Sequence, residues 1–265
     1  MTDLISKKAE EIYGIKADPS DVEKLCRHIT ERYGIINEDS IKIVFATGEA
    51  ASLLTVNETY FFREPMHYEF LLSRLSLIDD SEINICSAAT ATGCEAYSIA
   101  MLLEAYNSSS SKPIRYHIDA FDIDRMAIET ADNGFYGERS MREDGSTLRY
   151  MAFPWIKKHE SGYQVDQLLK KNITFFLHNL LDTLSFEAYH IIFFRNAFIY
   201  LSARARPIVL SNLSSALKKD GLLFMGVSET AAVCHETLRE KNTGDVFYFQ
   251  KDGIPGTQSP GFLNQ

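Results

Sequence analysis

Apolar positions change their spacing along the chain. Over residues 1–50 the sequence is mostly polar. Val22, Leu25, Cys26 and Ile29 recur three and four residues apart behind Asp18-Pro19-Ser20-Asp21, the pattern of an amphipathic helix with its start signal. Residues 1–55 are thus predicted to form a small helical domain, placed to cap the main domain. From about residue 82 the period switches. Short apolar runs at 83–88, 116–121, 173–177, 190–194, 222–226 and 246–250 alternate with helical stretches at 95–106, 125–133 and 203–218. Alternating strands and helices imply βαβ units, hence an α/β fold with a doubly wound, mostly parallel sheet. Gly134 sits where a helix C-cap is expected. Asp220-Gly221 reads as the turn into the next strand, and 107–113 (NSSSSKP) as a loop. Residues 137–172 fit no βαβ unit and are expected to be an inserted subdomain within a main domain of 56–251. The tail, 252–265, is rich in Gly, Pro, Ser, Gln and Asn and is expected to be mobile.

Composition narrows the function classes. The chain has 265 residues, 27 Lys and Arg against 36 Asp and Glu, and a net charge of −9. Its lysine pairs are scattered, which argues against a general nucleic-acid binder. The four cysteines, Cys26, Cys86, Cys94 and Cys234, form no CxxC pair and fit no zinc template. Reduced thiols and a cytoplasmic location are expected. MTDLISKKAEEIYG has no apolar core, so no secretory leader is predicted, and no run of 18 apolar residues suggests membrane insertion.

Candidate chemistry sits at the ends of the predicted strands. The apolar run 191–194 is broken by Arg195 and Asn196. An unpaired buried charge costs several kcal/mol, so this pair is expected to meet a ligand or partner; a strand ending at the surface is the plainer alternative. The small residues 88–93 precede a helix whose N-terminus is electropositive, although a tight turn alone would look the same and GxGxxG is absent. Asp122 closes the second strand, where an acid can accept hydrogen bonds from both ribose hydroxyls. Asp124 is read mainly as the cap of the helix after it. Asn57, Thr59 and Arg63 fall within seven residues around Tyr60, Phe61 and Phe62, aromatics expected mostly in the core. Arg63 offers a fork for a carboxylate. His178 has no partner identifiable from sequence and is expected to be a satisfied structural or rim residue.

Five segments carry a family resemblance: NETYFFREP (57–65), SAATATGCEAYSIAMLL (87–103), AFDIDRMAIETADNGFY (120–136), IIFFRNAFIYL (191–201) and LKKDGLLFMGVSET (217–230). In order and spacing, over roughly 55–250, they resemble the CheR family, S-adenosylmethionine-dependent protein-glutamate O-methyltransferases of bacterial chemotaxis. The resemblance implies S-adenosylmethionine as donor and S-adenosylhomocysteine as product. It places Asn57, Thr59, Arg63, Glu95, Asp122, Asn179, Leu180, Arg195 and Asn196 around the cofactor, with Glu95 toward its amino group and Asn179 and Leu180 toward adenine. It implies chemoreceptor cytoplasmic helices, or another acceptor protein, as partner.

Methyl transfer to a carboxylate is an in-line displacement. Glutamate, with a pKa near 4.3, is already ionised at neutral pH and needs no general base. Arg63, Arg195 and Tyr200 are the candidates for orienting it, and no Ser-His-Asp, Cys-His or metal constellation is expected. A different acceptor, protein or small molecule, and a cofactor-binding signalling module without catalysis remain alternatives. Three departures bear on this reading. Cys94-Glu95 replaces the family's usual pair of acids. Arg27, His28 and Arg32 make only a modest basic stripe in a short N-terminal segment. Gly137, Gly145 and Gly162 are too widely spaced for a Gly-rich peptide-binding loop.

Overall fold

The computed structural model describes residues 1–77, 82–142, 147–244 and 246–252. Four helices lead: α1 (Thr2–Tyr13), α2 (Pro19–Tyr33), α3 (Glu38–Ala46) and α4 (Glu49–Leu54). Asp18 caps α2 by accepting the Ser20 N–H, with Pro19 in the first turn. Val22, Leu25 and Ile29 are buried, while Cys26 is only partly so. The basic stripe is spoken for in part: His28 and Arg32 both reach Glu49, at 2.7 and 3.5 Å. After α5 (Pro65–Arg74) come β1 (Glu82–Ala88), α6 (Cys94–Ser109), β2 (Arg115–Asp122) and α7 (Arg125–Asn133). Next are β3 (Phe135–Tyr136), β4 (Ile156–His159), β5 (Gly162–Val165), α8 (Gln167–Lys170) and β6 (Ile173–Leu177). The chain continues through β7 (Tyr189–Phe194), α9 (Ala205–Ala216), β8 (Leu217–Met225), β9 (Leu238–Thr243) and β10 (Val246–Lys251).

Seven strands form one sheet in the order β6-β2-β1-β7-β8-β10-β9. The first five are parallel; β10 runs antiparallel between β8 and β9. Strand β7 is buried throughout, as a central parallel strand covered on both faces must be. Ile191 and Phe193 face the cluster built by α5 and α6, where Phe193 stacks on Phe224 at 4.7 Å. Ile192 and Phe194 face α9 and the N-terminal helices, whose Ile5, Leu25, Ile29 and Ile41 join the same apolar cluster. A second, three-stranded antiparallel sheet, β3-β5-β4, lies between α7 and α8. It is tied to the main sheet by Tyr136, whose ring meets Phe61 edge-on at 5.0 Å and whose hydroxyl donates to the Thr92 carbonyl at 2.6 Å.

Three boundaries differ from the sequence reading. Asp220-Gly221 is no turn before a strand. It is an irregularity inside β8, with Asp220 at φ 60° beside a register shift between Tyr189 and Ile191. Helix α6 runs through Ser109, and Asn107 bonds the backbone of Ile114 with both ends of its amide at 2.8 Å, which closes the shortened loop. Strand β9 was unexpected because only Leu238 is buried; an exposed edge strand carries no alternating apolar signal. Gly145 and residues 253–265 of the expected tail lie outside the described residues. No helix among the described residues is long and apolar enough to cross a membrane.

Candidate active site

A cleft of about 1000 Å³, mouth included, opens at the carboxyl ends of β1, β2 and β7. In an open α/β sheet, ligands bind where the strand order reverses, here between β1 and β7. The cleft is lined by Asn57, Thr59, Arg63, Glu95, Asp122, Asn179, Leu180, Arg195, Asn196 and Tyr200. The structure therefore brings together residues that lie far apart in sequence.

The floor is the turn from β1 into α6. Ala89 and Ala91 have positive φ, 57° and 50°, and Gly93 sits at 85°. A Cβ on Gly93 would lie 2.7 Å from the Cβ of Ala131. Asp122 holds this turn: one carboxylate oxygen accepts the Ala91 N–H at 2.8 Å, the other the Asp124 N–H at 3.0 Å. Burial raises the Asp122 pKa, and these backbone donors offset part of the rise. Asp124 caps α7 through the Met126 N–H at 2.9 Å and also accepts from Ser52 and, at 2.5 Å, from the Asn57 amide. The Asn57 amide thus fastens the 57–63 segment to a helix cap.

Arg195 departs most from its expected part. Its side chain is only 1% exposed, and both terminal nitrogens are paired, while Nε has no hydrogen-bond partner among the described residues. One terminal nitrogen donates to Tyr68 Oη at 3.2 Å and to Glu95 at 3.4 Å; the other donates to the Arg63 carbonyl and lies 3.3 Å from Glu64. One residue that sequence reasoning missed is Glu64, which also accepts from the Asn196 amide at 2.8 Å. Burial alone would raise the Glu64 pKa, but Arg195 and Asn196 outweigh it and hold it below the usual range. Burial raises Glu95, against the pull of Arg195 and of a 2.8 Å hydrogen bond from Ser87. Asn196, at φ 59°, donates its backbone N–H to Glu229 at 2.7 Å; Glu229 also accepts from Gly226 and Ile199. A Cβ on Gly226 would come within 2.6 Å of the Glu229 carboxylate. Phe62 and Glu64 add two more positive φ angles, 56° and 55°. Each costs of order 1–3 kcal/mol and persists only where surrounding contacts over-determine it, here the Glu64–Arg195–Asn196–Glu229 network.

Other expectations are also revised. Cys94 does not line the cleft; it is fully buried, and burial pushes its thiol up to about 12. Asn179 donates to the Ile12 carbonyl at 2.6 Å and accepts the Leu181 N–H at 3.0 Å, which anchors the end of α1. His178 is not satisfied as expected: its buried Nε2 has no hydrogen-bond partner among the described residues, and its ring meets that of Phe121 edge-on at 4.8 Å. Phe61 and Phe62 are core, as expected, whereas Tyr60 lines the cleft. Arg63 donates to the Glu58 carbonyl at 2.8 Å and packs its guanidinium near Tyr60 at the mouth. Tyr200 stands 39% exposed at the rim. Tyr13 and Ile15 also line the cleft. Their segment is strapped on by Lys16 N–H to the Tyr200 carbonyl and Ser202 N–H to the Gly14 carbonyl, both 2.8 Å. No local pattern marks those two residues; the signal is a contact between distant parts of the chain.

This sheet order, with its antiparallel strand near one edge and acids at the ends of β1–α6 and β2, is a Rossmann-like doubly wound fold, and its family match makes it a methyltransferase. Residues 57–246 match the family described as "CheR methyltransferase, SAM binding domain". The chain belongs to that family, and its methyl donor is S-adenosylmethionine. It is 32% identical to a chemotaxis protein methyltransferase of Borreliella burgdorferi over 69% of this chain and 67% of that one. Identity is 35% to the chemotaxis protein methyltransferase of Escherichia coli, over 66% of this chain and 62% of that one. A probable biofilm formation methyltransferase, WspC of Pseudomonas aeruginosa, is 30% identical over 87% of this chain and 56% of that one. The matches thus span between about half and two thirds of those relatives' own lengths.

Proposed function

We propose that the protein transfers the methyl group of S-adenosylmethionine to glutamate side chains of a protein, the cytoplasmic helices of a chemoreceptor, giving glutamate methyl esters. The cleft suits the donor. Asp122 retains lone pairs for two ribose hydroxyls beyond the two backbone donors it already serves. Glu95 offers a buried carboxylate for an ammonium group, and Arg63 a fork for the carboxylate at the same end. His178 Nε2, buried and without a hydrogen-bond partner among the described residues, lies in the cleft lining beside Leu180 and Asn179 and can serve adenine there. The bound cofactor supplies an electrophilic methyl group on a sulfonium.

The observation that carries the acceptor is the state of the charged groups. The partly buried Glu64 and Glu95 and the buried Asp122 are each engaged, as are the terminal nitrogens of Arg195. What the mouth adds are orienting groups, the Tyr200 hydroxyl among them. They can hold the far oxygen of an acceptor carboxylate while its near oxygen attacks, a task of alignment and water exclusion rather than proton removal. Arg195 is reassigned from orienting the acceptor to fixing Glu64, Glu95 and the backbone of Arg63. The named relatives support a chemoreceptor as acceptor. The longer match to the probable biofilm formation methyltransferase favours a second reading, in which the methylated acceptor serves biofilm formation.

Incubation with methyl-labelled cofactor and a lysate of the native cell tests both. A label released by mild base identifies an ester, and a base-stable product would exclude glutamate. Turnover should stay flat from about pH 6 to 8, because an ordinary glutamate is ionised throughout. Deleting the gene and scoring chemotaxis against biofilm formation separates the two readings.

A further inference from the structure

Which cation meets the acceptor is not decided by the family motifs, since Arg195, just past the end of β7, is walled in. Another arginine, outside the cleft lining itself, touches two of the lining residues. Arg142 comes directly after the turn Glu138–Met141. Its guanidinium lies 5.2 Å from the centre of the Tyr60 ring, and one nitrogen is 2.7 Å from a Glu58 carboxylate oxygen. Glu58 and Tyr60 both line the cleft. Arg63 approaches the same ring at 5.8 Å. The Phe61 N–H donates to the Ser140 carbonyl at 3.0 Å, which fixes the Arg142 turn against the 57–63 segment.

We infer that Arg142 is the acceptor-binding cation, and that Glu58 occupies, within the free protein, the place of the incoming glutamate carboxylate. The inference rests on the reading of the acceptor as a carboxylate. The Arg142 and Glu58 side chains are 47% and 58% exposed. An ion pair so exposed contributes little net stability and exchanges readily. Arg195 differs: its release would strand buried carboxylates. With a net charge of −9, the protein as a whole repels an acidic segment, so a local pair of cations stacked on one aromatic ring has a distinct job. It steers one carboxylate to the mouth and holds it in a fork geometry that a lysine matches poorly.

The test uses the full chain, tritium-labelled S-adenosylmethionine and the membrane fraction of the native cell, with initial rates of base-labile labelling measured against membrane concentration. Arg142→Gln should raise half-saturation by about tenfold while calorimetric binding of S-adenosylhomocysteine stays unchanged. Arg142→Lys should recover part of the loss. Glu58→Gln should lower half-saturation roughly twofold to fivefold, because the internal competitor is gone. Wild-type half-saturation in Arg142→Gln, or a loss matched by weaker S-adenosylhomocysteine binding, would overturn the assignment while leaving ester formation intact. Base-stable label from the wild type would instead sink the carboxylate reading itself, and this inference with it.

Discussion

Replacing Arg195 with Gln distinguishes a structural cation from a ligand-binding one. In the fold, its charge faces Glu64 and Glu95, whose side chains are 20% and 13% exposed. Without it, at least one carboxylate must either stay ionised with no cation beside it or take a proton. Truncating one member of a buried pair costs about 3–5 kcal/mol. The protonation route gives the same scale: holding a carboxyl neutral against an unfolded pKa near 4.3 costs about 1.36 kcal/mol per pH unit, or about 4 kcal/mol at pH 7.5. Linkage sets the sign. In the wild type, Glu64 has a depressed pKa, so its contribution is present above the unfolded pKa and is lost as pH falls. In Arg195→Gln the carboxylate pKa is raised, so the penalty grows with pH. The two proteins should therefore differ by about 4 kcal/mol at pH 7.5 and by only about 1 kcal/mol near pH 5. Urea unfolding monitored by circular dichroism, at constant m-value, measures this difference. A variant within 1 kcal/mol of wild type at pH 7.5, or a cost independent of pH, would refute the pairing and return Arg195 to the acceptor.

The same geometry sets four further outcomes. Cys94→Glu places a carboxyl at a fully buried site; it should cost about 3–4 kcal/mol at pH 7, visible as a large drop in melting temperature, whereas retained stability with tighter S-adenosylhomocysteine binding would contradict it. His67 is buried, and burial, with Arg195 second, lowers its pKa to about 3. Its neutral form should thus cost stability progressively as pH falls below 6.5, about 2 kcal/mol by pH 5, and His67→Gln should flatten that limb of the pH profile. Asp122→Asn removes an acceptor from the Ala91 N–H and one for a ribose hydroxyl; calorimetry should show S-adenosylhomocysteine bound roughly 10- to 100-fold more weakly, and wild-type affinity would remove Asp122 from the site. Tyr200→Phe should lower turnover more than it weakens S-adenosylhomocysteine binding; equal losses would place the hydroxyl on the cofactor instead.

Periodicity alone determined much of this protein. Strand β7 was legible because a strand covered on both faces must be apolar at every position, and α2 because Asp18 and Pro19 announce it. Glu95, Asp122 and the end of β7 could be marked from sequence, since strand ends and first helical turns are the places an α/β sheet offers to a ligand; segment 57–63 was marked by the family resemblance. Their partners could not. Glu64 and Glu229 look like any surface acids until the chain returns them to Arg195 and Asn196; burial is decided by what packs from elsewhere, and the same holds for Cys94, which sits next to a site residue in sequence yet turns into the core. The strap of Tyr13 and Ile15 and the Arg142–Tyr60–Glu58 contact join distant segments with no local signature. A sequence lists the charges, but which of them pair, and which stay free to meet a substrate, depends on distances and solvent access that arise only when the chain closes on itself.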